Sequence, residues 1–228
     1  VRDKEVGLSV RGLSIASGAR WLVQDLSLEA PPSTLHMVLG ERDTGKTALL
    51  ETLAGLRREE RGTILLGGAG EAEAGRRERR KRACLIPQEC GPTTLTVAER
   101  LLLHRPPRRF GIAIHDGKAR EQAHALAASV GVELLLDAPV ESLRPLERRL
   151  VELGAALAES PSLLLLDEPT ADLGPHEARQ FIAVLHASAK ESATPVIFTT
   201  AWPRDAYPEA DAVTILRRGA PPATVKTA

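Results

Sequence analysis

The strongest chemical signal in the sequence is Gly40-Glu41-Arg42-Asp43-Thr44-Gly45-Lys46-Thr47, which fits the spacing G-x-x-x-x-G-K-[ST]. Glycines at these positions let backbone N–H groups wrap an anion. The lysine reaches the outer phosphates of a nucleotide, and the hydroxyl is a ligand for Mg²⁺. A second signal lies far downstream. The apolar run Leu163–Leu166 leads directly into Asp167-Glu168-Pro169-Thr170. An acidic residue at the end of a buried strand suits a carboxylate that holds Mg²⁺ beside a phosphate loop. Glu168, next to it, is placed to polarise an attacking water as a general base. Each segment alone has an ordinary explanation, a glycine-containing turn or an acidic turn after a strand. Together they point to nucleoside triphosphate chemistry.

Such a loop works only between a strand and a helix, because the helix N-terminus adds positive potential. The pattern supplies both, a buried strand over Leu35–Leu39 and a helix over Lys46–Leu56 with Leu49, Leu50, Leu53 and Ala54 on one face. Short strands are predicted around Leu8–Val10, Trp21–Val23 and Leu26–Leu28, then at Gly62–Leu66, Cys84–Ile86, Leu163–Leu166, Pro195–Thr199 and Ala212–Leu216. Residues 67–82 are Gly, Ala and charge, which predicts an exposed segment. From Val97 to Leu157 the chain is rich in Ala, Leu and charge and reads as helical, notably over Ala119–Val130 and Leu146–Leu157. His176–Ser188 is a further amphipathic helix. Strands alternate with helices at both ends of the chain, with a helical block between them. That order is an α/β core with an inserted helical lobe.

The chain of 228 residues has 30 Lys+Arg against 30 Asp+Glu, so no global field draws it to nucleic acid or lipid. Aromatic residues, at 3%, are too few for a base-stacking platform. No apolar run approaches the ~20 residues that cross a bilayer, and no leader pattern opens the sequence, which predicts a soluble cytoplasmic protein. Two cysteines, Cys84 and Cys90, make neither a disulfide framework nor a zinc cage and read as small buried hydrophobes. His176-Glu177 lacks a second histidine at zincin spacing, which argues against a metal there. The basic run Arg76-Arg77-Glu78-Arg79-Arg80-Lys81-Arg82 suits anionic lipid or nucleic acid, but a solvated loop is the favoured reading.

With these motifs in place, the sequence from about Leu8 to Gly219 resembles the ATP-binding subunits of ABC transporters. Within them it is most similar to the ATPases of ribose-type sugar importers and nucleoside importers. Leu35–Glu41 resembles the family's entry to the phosphate loop. Pro87-Gln88-Glu89 followed by Leu95-Thr96-Val97-Ala98-Glu99 resembles its Q-loop and the start of its helical subdomain. Ala138–Leu143 and Leu150-Val151-Glu152 flank its signature, and Asp211–Gly219 resembles its closing strand. The resemblance implies a P-loop NTPase (RecA-like) α/β core with an antiparallel β edge and an inserted α-helical subdomain. As one domain over 1–228, its core would be 1–91 and 158–228 and its helical subdomain 92–157.

The resemblance also implies cofactors, partners and roles. Mg²⁺ and ATP would bind at residues Gly40–Thr47, with Lys46 on the phosphates. Thr47, Gln88 and Asp167 would arrange Mg²⁺ and water, and Glu168 would be the catalytic base. Ala171-Asp172-Leu173 would be the D-loop at the seam between two nucleotide-binding domains that close head-to-tail around ATP. Transmembrane permease subunits would dock near the Q-loop, placing the chain peripherally on the inner or plasma membrane, with no direct nucleic acid contact. Importer ATPases of this kind usually carry two such domains in tandem, and this sequence carries one.

Several positions depart from the family. Leu143-Arg144-Pro145-Leu146-Glu147 stands where the signature reads Leu-Ser-Gly-Gly-Gln or a close variant. The hydroxyl is gone, Pro145 has no N–H, Leu146 is bulky and Glu147 is an anion where phosphate would approach. Arg144 suits phosphate, but the favoured reading is a signature that no longer functions. Ala201 occupies the place of the switch histidine. The adenine-stacking aromatic falls near Ser17, and Trp21 reads as core in preference to a substitute. Asp43 replaces a glycine and would bring a carboxylate near phosphate. These departures predict a heteromeric complex in which a partner supplies the complete signature. The alternative is a non-hydrolysing interaction subunit that completes the domain dimer and docks a permease. A soluble ATPase acting on nucleic acid is disfavoured by the charge balance and the scarcity of aromatics.

Overall fold

The computed structural model describes residues 7–67, 75–89, 94–103, 117–132, 136–202 and 208–226. Strands β1 (Leu8–Ser17), β2 (Arg20–Ala30) and β4 (Arg61–Leu66) form an antiparallel sheet in the order β2-β1-β4. A six-stranded sheet runs β5 (Ala83–Ile86), β6 (Leu163–Leu166), β7 (Val196–Thr200), β3 (Leu35–Gly40), β8 (Ala212–Arg217) and β9 (Ala220–Lys226). All neighbours in it are parallel except β8 and β9. The helices are α1 (Lys46–Leu53), α2 (Arg76–Arg82), α3 (Val97–Leu102), α4 (Gly117–Ser129), α5 (Pro145–Ala158) and α6 (Pro175–Ser192).

The chain divides into two compact units. The first comprises Val1–Gln88, Pro161–Ala171 and His186–Ala228, and contains both sheets, α1 and α2. The second comprises Glu89–Ser160 and Asp172–Leu185, with α3, α4, α5 and the first part of α6. In the first unit, Leu49, Leu50 and Leu53 of α1 sit in one apolar core with Leu8, Val10, Leu13, Ile15, Val38 and Leu165. That core clamps α1 between the sheets and fixes the turn before it. In the second unit, the Arg100 guanidinium grips the buried Glu152 carboxylate with two hydrogen bonds, joining α3 to α5. A fork-to-fork pair of this kind fixes orientation as well as distance.

The strands expected from Gly62 onward, and that at Leu35–Leu39, are present within a residue or so of their predicted ends, whereas β1 continues to Ser17 and the two strands expected at Trp21–Val23 and Leu26–Leu28 are the single β2. The helix expected over Lys46–Leu56 stops at Leu53, because Gly55 takes φ +73 and ends it in a left-handed cap. A side chain at Gly55 would also lie 2.3 Å from the Arg76 carbonyl oxygen, so this glycine lets α2 approach the end of α1. The segment expected to be exposed instead contains α2. Within it Arg79 is fully buried and its guanidinium donates to Glu59 at 2.8 Å. The loop reading of the basic run is therefore corrected over Arg76–Arg82: Arg79 buys a place in the fold through its ion pair, and the remaining cations stay outside. Trp21, expected in the core, is 41% exposed and lies under the Arg61 guanidinium, 5.7 Å from the ring centre. Cys84 is half-buried in β5, and the expectation for Cys90 falls outside the described residues. Strand β9 had no sequence signal because Pro221 and Pro222 disfavour a strand; as an edge strand it tolerates them.

His36 in β3 is buried, and its Nε2 shares a hydrogen bond of 2.8 Å with the Thr214 hydroxyl of β8. Burial lowers its pKa from 6.5 to about 4, against a smaller raising effect of a backbone contact at Glu29. Between those values the unfolded chain binds the proton and the folded chain does not, so stability falls as pH drops from 6.5 towards 4. The loss from this residue is up to about 3 kcal/mol. Urea unfolding across that pH range should show it, and His36→Gln should flatten the dependence. An unchanged slope in the variant would refute the assignment.

Candidate functional site

All components of the candidate nucleotide site within the first unit lie at the carboxyl edge of the parallel sheet. Strand β3 ends at Gly40, and the chain turns through Glu41–Gly45 into α1. Asp43 and Gly45 both take positive φ, +61 and +94. Gly45 is required twice over: its φ disfavours any side chain, and a Cβ would meet Leu22 and Val23 at 3.1 Å. Gly45 is also the N-cap of α1, which has no side-chain cap and no acidic residue in its first turn. The start of the helix thus has its positive end uncompensated by the chain, the arrangement that attracts an anion.

Lys46 is 5% exposed and folds back under the loop. Its ammonium donates to the carbonyls of Gly40 at 2.6 Å and Glu41 at 2.8 Å, and its third contact is Glu168 Oε1 at 3.1 Å. An ammonium has three donors, so a phosphate arriving at Lys46 must compete with Glu168. Thr44 ties the turn from within by donating to the Glu41 carbonyl at 2.8 Å. Asp43 does not crowd this cradle. Its carboxylate is 80% exposed and lies 3.8 Å from Arg218, while Arg20 donates to its carbonyl at 3.5 Å. Left-handed φ is a conformation that aspartate tolerates. Arg42 is exposed on the same turn.

The two acidic residues follow β6. Thr47 donates to Asp167 Oδ2 at 2.7 Å, and Thr199 of β7 donates to Asp167 Oδ1 at 2.8 Å. Asp167 is buried, so these hydroxyls set its orientation. The same Thr199 oxygen accepts from the Glu168 backbone N–H at 2.9 Å. Glu168 takes φ +44, a strained value held by its neighbours. Thr199 is a residue that the sequence did not single out. Its only signal was membership of a buried strand, and only the β6-β7 pairing shows that its hydroxyl meets Asp167.

The hydroxyl of Thr47 and the carboxylate of Asp167 are hard oxygen donors, and they suit Mg²⁺. Among the described residues no group of three or more His, Cys, Asp or Glu offers a metal cage. Gln88 is exposed two residues beyond Ile86 of β5, just as Glu168 lies two beyond its paired Leu166. Ala201 follows β7 and places only a methyl there; Trp202 after it is 65% exposed. Ala171 closes the turn after Glu168 by donating from its N–H to the Glu168 carbonyl at 3.1 Å.

In the second unit, Leu143 is buried and Arg144 is the N-cap of α5, with Pro145 in the first turn. Proline is well suited there because that N–H has no helical partner in any case. Leu146 is buried. The Glu147 carboxylate accepts from the Arg144 N–H at 2.9 Å and from its guanidinium at 2.6 Å. That guanidinium lowers the Glu147 pKa, and Glu147 in turn raises that of Arg144. The helix start therefore already holds an anion of its own, in contrast to α1. One turn on, Arg149 donates to Asp172 Oδ1 at 3.0 Å, fixing that aspartate beside the half-buried Leu173.

A strand-loop-helix cradle beside a buried aspartate defines the P-loop nucleotide-binding class. Residues 23–171 match the ABC transporter family, and the chain belongs to it. It is 33% identical over 217 residues to a ribose import ATP-binding protein of Streptomyces coelicolor, covering 93% of this chain and 42% of that protein. A ribose import ATP-binding protein of Rubrobacter xylanophilus is 32% identical over 214 residues, with the same coverage of 93% and 42%. The chain thus spans less than half the length of these curated relatives. Among solved structures, an ATP-binding cassette of an ABC transporter in its ADP conformation superposes with a TM-score of 0.82 at 18% identity, covering 97% of this chain and 91% of that one. A nucleotide-free cassette gives 0.78 at 16%, covering 98% and 92%. Among the described residues no helix is long and apolar enough to cross a membrane.

Thr199→Val removes one donor to a buried carboxylate and one acceptor for a backbone N–H. Leaving such groups unsatisfied costs about 2–4 kcal/mol. The urea midpoint should fall accordingly, and an unchanged midpoint would show that the contacts do not hold Asp167.

Proposed function

We propose that this chain is the ATP-binding subunit of an ABC importer that holds Mg-ATP at Gly40–Thr47 and hydrolyses it only with a different partner domain. The observation that carries the reading is the contrast between two helix starts. At α1 the first turn is uncapped by any side chain, beside Lys46, Thr47 and Asp167. At α5 the N-cap N–H of Arg144 is taken by the chain's own Glu147. A partner with an open signature would complete the site at Lys46.

In this reading Lys46 leaves Glu168 to meet the phosphates, and the freed carboxylate turns to a water as general base. Thr47 and Asp167, with Gln88, would hold Mg²⁺, which would supply positive charge beside the phosphates. Thr199 keeps Asp167 and the Glu168 backbone in place during that exchange. Gln88 positions water at the mouth of the site. Ala171, Asp172 and Leu173 form the dimer seam, with Asp172 braced by Arg149. The core, 1–91 with 158–228, carries the nucleotide, and the helical part, 92–157, faces the partner and permease subunits at the cytoplasmic side of the membrane. Ribose-type sugars or nucleosides are the solute class, by likeness to relatives named for ribose import.

A second reading is supported by Ala201 and by the sealed start of α5, which fit a subunit that completes a dimer without hydrolysis. Equilibrium titration with Mg-ATP separates the two. The native chain should bind, and Lys46→Ala should weaken binding by at least tenfold, about 1.4 kcal/mol. If native protein and variant both fail to bind at millimolar nucleotide, the first reading falls and the interaction subunit stands.

A further inference from the structure

The charge-neutral chain concentrates unpaired cations on one small face. At about 100° per residue, Arg76, Arg80, Arg77 and Lys81 of α2 occupy one continuous arc of roughly 140°. All four are exposed. None has an ion pair among the described residues, unlike Arg79 of the same helix, which is buried against Glu59. Glu78 lies at the arc's edge, and Arg58 is exposed on the segment that leads from α1.

This face is held rigidly. The Arg79–Glu59 pair anchors one side of α2, and Gly55 admits its backbone to within a methyl's breadth. Leu56, which follows the glycine that meets the Arg76 and Arg80 backbone, is 51% exposed. Like-charged side chains held on a fixed helix repel one another, so the arrangement has a cost that an anionic partner relieves. A cationic arc with an exposed leucine in the adjoining segment matches the boundary of an anionic bilayer, where cations meet phosphates and a leucine enters the interface. Nucleic acid is disfavoured because the arc carries no aromatic side chain for bases.

We propose that α2 and Leu56 form a docking face for anionic lipid, giving the chain direct contact with the membrane surface. The test is cosedimentation of the nucleotide-free chain with vesicles of equal parts phosphatidylglycerol and phosphatidylcholine, which keeps it separate from the reading of the phosphate loop. Native protein should bind these vesicles, release them as salt rises, and ignore pure phosphatidylcholine. Each cation near such a surface is worth about fivefold in partitioning. The quadruple variant Arg76→Gln, Arg77→Gln, Arg80→Gln and Lys81→Gln should therefore lose at least about a hundredfold. Leu56→Glu should weaken binding further, whereas Arg179→Gln with Lys190→Gln on α6 should leave it nearly unchanged. Circular dichroism establishes that each variant is folded. Equal loss in the α6 variant, undiminished binding in the quadruple variant, or tighter binding to random duplex DNA than to the vesicles would each overturn the proposal.

Discussion

The orientation of one buried carboxylate governs the candidate site. Asp167 receives a hydroxyl on each oxygen, Thr47 from the helix after the phosphate loop and Thr199 from the neighbouring strand. A buried anion needs such partners, or it protonates or destabilises the fold. Meeting that need requires three segments far apart in sequence to end at one edge of one sheet. The parallel order β6-β7-β3 accomplishes this, and the apolar core under α1 holds the loop in register with it. Lys46 and Glu168 then pair across the cradle as a consequence of the same geometry.

The two helix starts differ in backbone and in chemistry: Gly45 enters α1 from a left-handed conformation, and Arg144 enters α5 from an extended one. Gly45 leads into α1 with the helix dipole open, whereas Arg144 and Glu147 close the start of α5 with an internal ion pair. Arg-Pro-Leu-Glu is a good helix-starting sequence, with proline in the first turn and an acid two residues on. The start of α5 is thus a well-formed helix N-terminus whose N-cap N–H is taken by Glu147. In the function proposed above, such a chain contributes its own phosphate loop and a partner supplies the other half of the site.

Much of the core was legible because its signals are local. The loop spacing, the apolar run before Asp167 and the helical face of Leu49, Leu50 and Leu53 each lie within one segment. Thr199 was not legible, since its role depends on which strand lies beside β6. Arg79 was hidden inside a basic run whose composition speaks only for solvent; its burial depends on Glu59, twenty residues earlier. Trp21 misled because a large apolar residue is usually core, yet here an arginine covers its face. Glu147 was legible as an anion, but its bond to the Arg144 N–H needed the helix boundary.

On the proposed function, the α5 start cannot complete a second copy's nucleotide site. Sedimentation velocity of the Glu168→Gln variant with Mg-ATP tests this most directly, because an unhydrolysed nucleotide would hold any closed dimer together. A monomer is expected at all nucleotide concentrations that saturate the loop. A dimer of the chain that appears with Mg-ATP and disappears with Lys46→Ala would contradict it.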